Sequence, residues 1–346
     1  MNETPKNRKF GLLKFPFALR EEVIRNMEFM DAFNFSTLSK RSKRLVLNAK
    51  LRTHSITFCI DCLLAKDMIR VETIKDGKCA MISLADPNKP LKRRNPDVID
   101  GVNLASLINE PSDDYRKKLS AYILSISHFN WTNVHIERDF ANVHFERDYV
   151  EPLTEFFLWD VRKKFDSIRV GRGSLSMSSE VLKFLLETIK SNQYYLGIRI
   201  IEANFKYRKS LDCETLSALH SVQWLDTYGI LQRNPKMKKL HLEGLEGEQI
   251  NDLLKQWING QVTDLESLIG YKRYNFPADD VLDGIVTLDP TITHEQAKGV
   301  YDRQEIIGQL VDIQRKVDGQ LATVLLNEKE CFAIMWNEKR LAELGN

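Results

Sequence analysis

The sequence predicts an α/β protein, and three observations carry that expectation. Residues 15–47 hold a dense block of apolar positions at helical spacing. Further on, short runs of the form apolar-x-x-apolar-x-apolar recur between amphipathic helices. Beyond residue 310 the apolar period falls to that of strands.

The N-terminal block reads as three short helices. Pro16 suits a helix start, where its missing N–H costs nothing, and Leu19, Val23, Ile24 and Met27 then share one side with Glu21, Glu22 and Arg25 opposite. Asp31 can open a second helix carrying Phe33 and Phe35. Ser39 is the expected N-cap of a third, which turns Lys40, Arg41, Lys43 and Arg44 outward and Leu45, Val46 and Ala49 inward. With Phe29, Met30 and Leu38 added, a segment of about 35 residues has more apolar surface than it can hide alone. Either the rest of the chain or a partner must cover it.

Strand character follows at Ser55–Phe58, at Ile69–Ile74 and at Cys79–Leu84, and Asp76-Gly77 between the last two predicts a hairpin. Residues 86–101 hold three prolines and the basic cluster Lys89, Lys92, Arg93 and Arg94, which reads as a solvated loop.

From about residue 115 the chain alternates helix and strand. The strand motif appears as Trp131/Val134/Ile136, Phe165/Ile168/Val170, Tyr195/Ile198/Ile200, Leu219/Val222/Trp224 and Met237/Leu240/Leu242, and in partial form as Val262/Leu265/Leu268. Amphipathic helices return between them, one through Val181, Leu182, Leu185, Leu186 and Ile189, another through Ile250, Leu253, Leu254, Trp257 and Ile258 with a stop at Asn259-Gly260. Such units bury their apolar faces by stacking on neighbours, as leucine-rich repeats do. Because Val134, Ile168, Ile198, Val222 and Leu240 lie 34, 30, 24 and 18 residues apart, the array is irregular, leucine-rich-repeat-like rather than a regular solenoid. A β-meander closes the chain: Leu310–Val317, a turn at Asp318-Gly319, Leu321–Leu326 and Cys331–Trp336.

Residues 133–150 contain a nine-residue tandem, Asn-Val-His-Ile-Glu-Arg-Asp-Phe-Ala followed by Asn-Val-His-Phe-Glu-Arg-Asp-Tyr-Val. An odd offset would turn the second copy inside out along one continuous strand. The first copy, from Asn133 to Glu137, is therefore the expected core strand.

Composition narrows the function. Fifty Lys and Arg against 48 Asp and Glu leave a net charge of +2, which forecasts no polyanion partner, and the basic helix at residues 40–44 lacks interleaved aromatics, so nucleic acid is not expected. No apolar run reaches the ~18 residues of a membrane span, and the polar N-terminus lacks a signal-peptide pattern. Five scattered cysteines fit a reducing compartment, so a cytoplasmic or nuclear protein is expected. Cys59-x-x-Cys62 has no second pair at zinc spacing, and no Walker, Gly-x-Ser-x-Gly or His-Glu-x-x-His motif occurs. No enzymatic chemistry, metal or other cofactor is expected.

The order Phe15-Pro16, Glu22-Val23-Ile24, Met27, Phe33-Asn34-Phe35-Ser36 and Ser39-Lys40-Arg41-Ser42-Lys43 resembles an F-box of the kind found in a large nematode family. Phe29 stands where that family usually has a proline, and Ala32 where it usually has a larger apolar residue. The run Met237–Leu245, continuing through Leu253–Gly260 to Leu268, together with Arg315–Val324 and Trp336, resembles the F-box-associated type 2 domain of the same family. The resemblance implies an F-box at residues 9–52 and a substrate-binding domain at 53–346. It further implies a non-catalytic subunit of an SCF-type cullin-RING ubiquitin ligase, which meets a Skp-type adaptor through Phe15, Pro16, Val23, Ile24, Met27, Phe29 and Phe35. A scaffold or competitor that binds the adaptor without delivering substrate is the alternative. If the repeats stack, the positions between buried residues, His135, Glu137, Arg169, Arg199, Gln223, His241 and Glu243, face a protein substrate.

Overall fold

The computed structural model describes residues 11–61, 68–73, 79–83, 102–105, 113–137, 151–220, 222–272, 278–302 and 304–344. The chain forms two compact units, residues 1–133 with 157–162 and residues 134–156 with 163–346.

The first unit opens with three helices, α1 (Phe17–Arg25), α2 (Phe29–Thr37) and α3 (Lys40–Ala49). Strands β1 (Leu51–Asp61), β2 (Met68–Thr73), β3 (Cys79–Ser83) and β4 (Val102–Ala105) follow, then α4 (Asp113–Ile126), β5 (Ser127–Glu137), which ends in the second unit, and α5 (Leu158–Val161). The strand order here is β5-β1-β2-β3-β4. β2 and β3 pair antiparallel from Met68↔Ser83 to Glu72↔Cys79, as a hairpin requires. The Asp76-Gly77 turn and the basic cluster at residues 89–94 lie outside the described residues, as does the second copy of the tandem. The first copy ends β5, with Val134 and Ile136 buried.

The second unit continues with β6 (Lys164–Met177), α6 (Ser179–Glu187), β7 (Lys190–Ile200), β8 (Thr215–Ala218), α7 (Ile230–Arg233), β9 (Lys239–Glu243), α8 (Gly247–Ile258) and β10 (Ser267–Tyr271). It closes with α9 (Ala278–Val281), α10 (His294–Val300), β11 (Gln309–Gln314), β12 (Leu321–Leu326), β13 (Glu330–Met335) and α11 (Glu338–Leu344). Strands β6 to β10 are parallel neighbours in chain order. β13 joins β10 antiparallel and the meander continues outward through β12 to β11, so the expected C-terminal hairpins are present.

Register sorts the side chains into two faces. Ile168, Tyr194, Leu216, Leu240 and Leu268 stand opposite one another on successive strands, and all are buried. The helices lie on this face: Tyr194 donates its hydroxyl to Ile189 O at 2.7 Å, at the end of α6, and the Ile250 side chain of α8 presses on Gly270. A Cβ at Gly270 would meet Ile250 Cδ1 at 2.5 Å, so the glycine is what permits that approach. Asn259 is the C-cap of α8 and Gly260 follows with φ 76°, which matches the expected stop.

Two strand assignments are corrected. Leu219/Val222/Trp224 is not a strand: β8 is Thr215–Ala218, Leu219 is exposed, and Val222 and Trp224 are buried from the loop that follows. On β7 the buried set is Tyr194, Leu196 and Ile198 rather than Tyr195, Ile198 and Ile200, because Tyr194 is the tyrosine whose hydroxyl finds carbonyls at the end of α6.

On the opposite face the meander is covered from within the chain. Ile292, Ala297, Tyr301 and Ile306 pack with Leu310, Leu325, Ile334 and Trp336. Beneath them Asp312 accepts from Thr323 Oγ1 at 2.5 Å and from Thr291 N at 2.9 Å, while Trp336 Nε1 donates to Thr323 Oγ1 at 2.8 Å. A carboxylate can stay buried there because its oxygens are supplied with donors.

Candidate functional sites: an apolar helical rim and a polar sheet face

The three-helix block is held by α3. Ser39 caps it reciprocally with Ser42: Ser42 N donates to Ser39 Oγ at 3.0 Å and Ser39 N donates to Ser42 Oγ at 2.9 Å. Arg25 Nε donates to Ala49 O at 2.8 Å, which ties α1 to the end of α3. Phe29 stacks on Phe33 with ring centroids 6.3 Å apart, and Phe33 meets Tyr122 of α4 at 6.2 Å. Helix α2 begins at Phe29, earlier than the expected start at Asp31.

This packing divides the expected docking residues. Ile24 and Phe29 are 0% and 3% exposed, because they fill the space between the helices, so they are core residues and not surface anchors. Phe15, Val23, Met27 and Phe35 are half-buried and Pro16 is exposed. Ala32 is fully buried, so its small size is felt inside the block and not at a partner's surface. Sequence reasoning missed Phe17 and underrated Leu38, whose exposures are 50% and 76%, and it placed Leu19, 46% exposed, on the inner side. Leu38 carried a readable signal. It precedes the N-cap, where an apolar residue would pack onto the fourth helical position, but that position is Lys43 and offers it no apolar surface.

A rim of apolar side chains around a packed three-helix core is the form of a docking module. Residues 12–54 match the F-box domain. F-box domains typically bind Skp-type adaptors in cullin-RING ligases, and F-box proteins are generally non-catalytic adaptors of those complexes. No curated protein and no solved structure matches the chain.

Beyond the F-box, the face of β6–β10 opposite α6 and α8 is polar. One row across it runs Arg169, Tyr195, Ser217, His241 and Ile269, and the next runs Ser167, Gln193, Thr215, Lys239 and Ser267. The guanidinium of Arg169 sits 5.1 Å from the Tyr195 ring centroid, and the Tyr195 hydroxyl donates to Gln193 Oε1 at 3.1 Å. His241 Nε2 lies 3.1 Å from Ser267 Oγ. Burial, with Lys239 beside it, pulls the His241 pKa down to about 4, so this imidazole is neutral at physiological pH.

The expected substrate-facing residues are only partly brought together. Arg169 and His241 share a row, and Arg199 stands on the same face two alternations beyond Tyr195. His135 is half-buried near the end of β5, and the side chain of Glu137 lies outside the described residues. Gln223 is exposed in the loop after β8, so it is not a strand position. Glu243 is only 7% exposed and accepts from His220 N at 2.8 Å, which removes it from the exposed row. Among the described residues no three His, Cys, Asp or Glu side chains are grouped as a metal would require. Cys213 and Cys331 are buried, which pushes both thiols up to about 12, unlike the lowered pKa of a nucleophilic cysteine.

Proposed function

We propose that the chain is the substrate-recognition subunit of an SCF-type cullin-RING ubiquitin ligase, working in the cytoplasm or nucleus. The F-box match at residues 12–54 carries this reading. Phe15, Pro16, Phe17, Leu19, Val23, Met27, Phe35 and Leu38 form the adaptor-facing set, revised for exposure, and the polar face of β6–β10 holds a protein substrate. The second domain would be the F-box-associated type 2 domain of the nematode family that the sequence resembles. Catalysis is then proximity: the acceptor lysine is held near the ubiquitin thioester carried by other subunits, which removes an entropic barrier.

The test is affinity purification of wild type beside a Leu19→Asp/Leu38→Asp variant. Both side chains are exposed, so the variant keeps its fold while losing apolar docking surface. Adaptor and cullin should disappear from the variant, and proteins retained by both are substrate candidates. Failure of wild type to capture any Skp-type adaptor would sink the proposal. Adaptor capture with no protein's lifetime altered on deletion of the chain would mark a competitor instead.

A further inference from the structure

We infer that the face of β6–β10 opposite α6 and α8 binds an extended acidic segment of a protein, one that carries aliphatic side chains beside its carboxylates. This deepens the substrate-receptor reading by naming the chemistry that the face would select.

Charge is the first argument. Elsewhere in this unit several cations sit on carboxylates: Lys209 on Glu187 at 2.7 Å, Lys236 on Asp212 at 3.4 Å, Lys238 on Glu214 at 3.0 Å and Lys272 on Glu246 at 2.8 Å. Arg169, Arg199 and Lys239 share one face of the sheet, and among the described residues no ion pair joins any of them to a carboxylate. Arg199 and Lys239 are exposed and Arg169 is half-buried, with the Tyr195 ring holding its guanidinium in place. Glu243, on the same strand as Lys239 and His241, accepts from the His220 backbone. Among the described residues this face therefore gathers three cations that no carboxylate neutralises, on a chain whose net charge is only +2.

The floor between the cations suits a peptide backbone. Gln193 and neutral His241 are half-buried and offer hydrogen-bonding groups without charge, whereas Ser217 and Ser267 between them are buried. Three strand spacings separate Arg169 from Lys239, roughly 15 Å, which an extended segment of about five residues spans.

Aliphatic surface lies at one end of the same face. Ile201 N donates to Met177 O at 3.0 Å and Leu219 N donates to Leu196 O at 2.8 Å, so both residues prolong the ladder past the strand ends. They are 45% and 48% exposed and continue the alternation of Arg199 and Ser217. A guest with an apolar residue there and acids along the remainder satisfies both features.

The test uses the full-length protein and a fluorescein-labelled ten-residue peptide alternating Glu with Leu and Ile, read by anisotropy. Replacing every Glu by Gln should weaken binding about tenfold or more, as should Arg169→Gln/Lys239→Gln in the protein. Lys209→Gln/Lys236→Gln, which removes cations that already have partners, should leave affinity within about twofold. Ile201→Ser/Leu219→Ser should weaken the Leu/Ile peptide more than a Glu/Ser peptide. Absence of saturable binding, equal affinity for the Gln peptide, or an unchanged Arg169→Gln/Lys239→Gln variant would overturn the inference. So would tighter binding of single-stranded RNA, or of a phosphoserine peptide by more than about tenfold, which would assign the face to phosphate. Adaptor capture is scored on the same preparations: its loss in wild type removes the ligase reading, while the peptide result stands or falls by itself.

Discussion

Arg315 lies over the indole of Trp257, its guanidinium carbon 5.4 Å from the ring centroid, and the same guanidinium ties the C-terminal meander to α8. Its Nη1 donates to Val262 O at 3.2 Å and Thr263 O at 3.1 Å, and its Nε donates to Asp318 at 2.9 Å. The side chain of Arg315 is 4% exposed, whereas that of Asp318 is 47% exposed. Arg315→Ala leaves two carbonyls and an aromatic face without their donor, and should cost about 3–5 kcal/mol in chemical denaturation. Arg315→Lys recovers only part, because an ammonium cannot reproduce the planar fork.

Asp318 sets a pH signature for the same clasp. The hydrogen bond from Arg315 is the main cause that holds its carboxyl at about 2. A folded-state pKa below the unfolded one gives stability that is complete above about pH 4 and lost as pH falls toward 2. Because the carboxylate is half in solvent, Asp318→Asn should remove no more than about 1 kcal/mol at neutral pH. Denaturation midpoints of the two proteins should converge as pH falls to about 2.

Packing of α8 on the sheet is tested by Gly270→Ala. The new Cβ collides with Ile250, a fully buried side chain with little room to move, and about 1–3 kcal/mol should be lost. Ile250→Val removes the Cδ1 in conflict, so the double variant should be less destabilised than the sum of the single ones. Additive losses would show that the two residues do not compete for one space.

His241 gives a second pH dependence, of separate origin. Its pKa is about 4 in the fold against the ordinary value near 6.5, so the unfolded chain binds the extra proton first. The contribution is full above about pH 6.5 and declines as pH falls toward 4. Thermal midpoints of wild type and His241→Gln should therefore differ in slope across that window and run parallel above it.

The F-box separates stability from docking. Ser39→Ala should cost about 1 kcal/mol by uncapping α3, and Ile24→Ala about 2–5 kcal/mol by hollowing the helix core. Leu38→Asp should change stability by less than about 0.5 kcal/mol, since the residue is exposed. Adaptor binding, scored by pull-down, should respond in the opposite order. A Leu38→Asp protein that binds as well as wild type would remove that residue from the docking set.

What the sequence revealed followed the strength of its local signals. Helices α3 and α8 were legible because each joins a cap to a sustained apolar stripe, Ser39 with Leu45, Val46 and Ala49, and Ile250–Ile258 with Asn259-Gly260. The meander was legible from its alternation and the Asp318-Gly319 turn. Val222 and Trp224 misled because a loop can bury side chains at strand-like intervals, and adjacent tyrosines left the phase of β7 to a hydrogen bond that no pattern records. The docking set was only half legible, since Ile24 and Leu38 look alike as apolar helix residues until three helices pack. On the sheet face Arg169 and His241 stood out as charged or titratable, but Gln193 resembles any solvent-facing position, and nothing in the sequence marks Ser217 and Ser267 as buried. Ile201 and Leu219 acquire meaning only when the ladders run past the strand ends.

The parallel register that lines up Ile168, Tyr194, Leu216, Leu240 and Leu268 also separates two histories for the chain. Each neighbour along a strand belongs to the other face, so the residues that hold the helices and those of the polar face are interleaved in sequence yet do not share space. A drift from Arg169 to another polar residue leaves Ile168 and Val170 where they were. The polar face can therefore change one codon at a time while the scaffold beneath it stays intact.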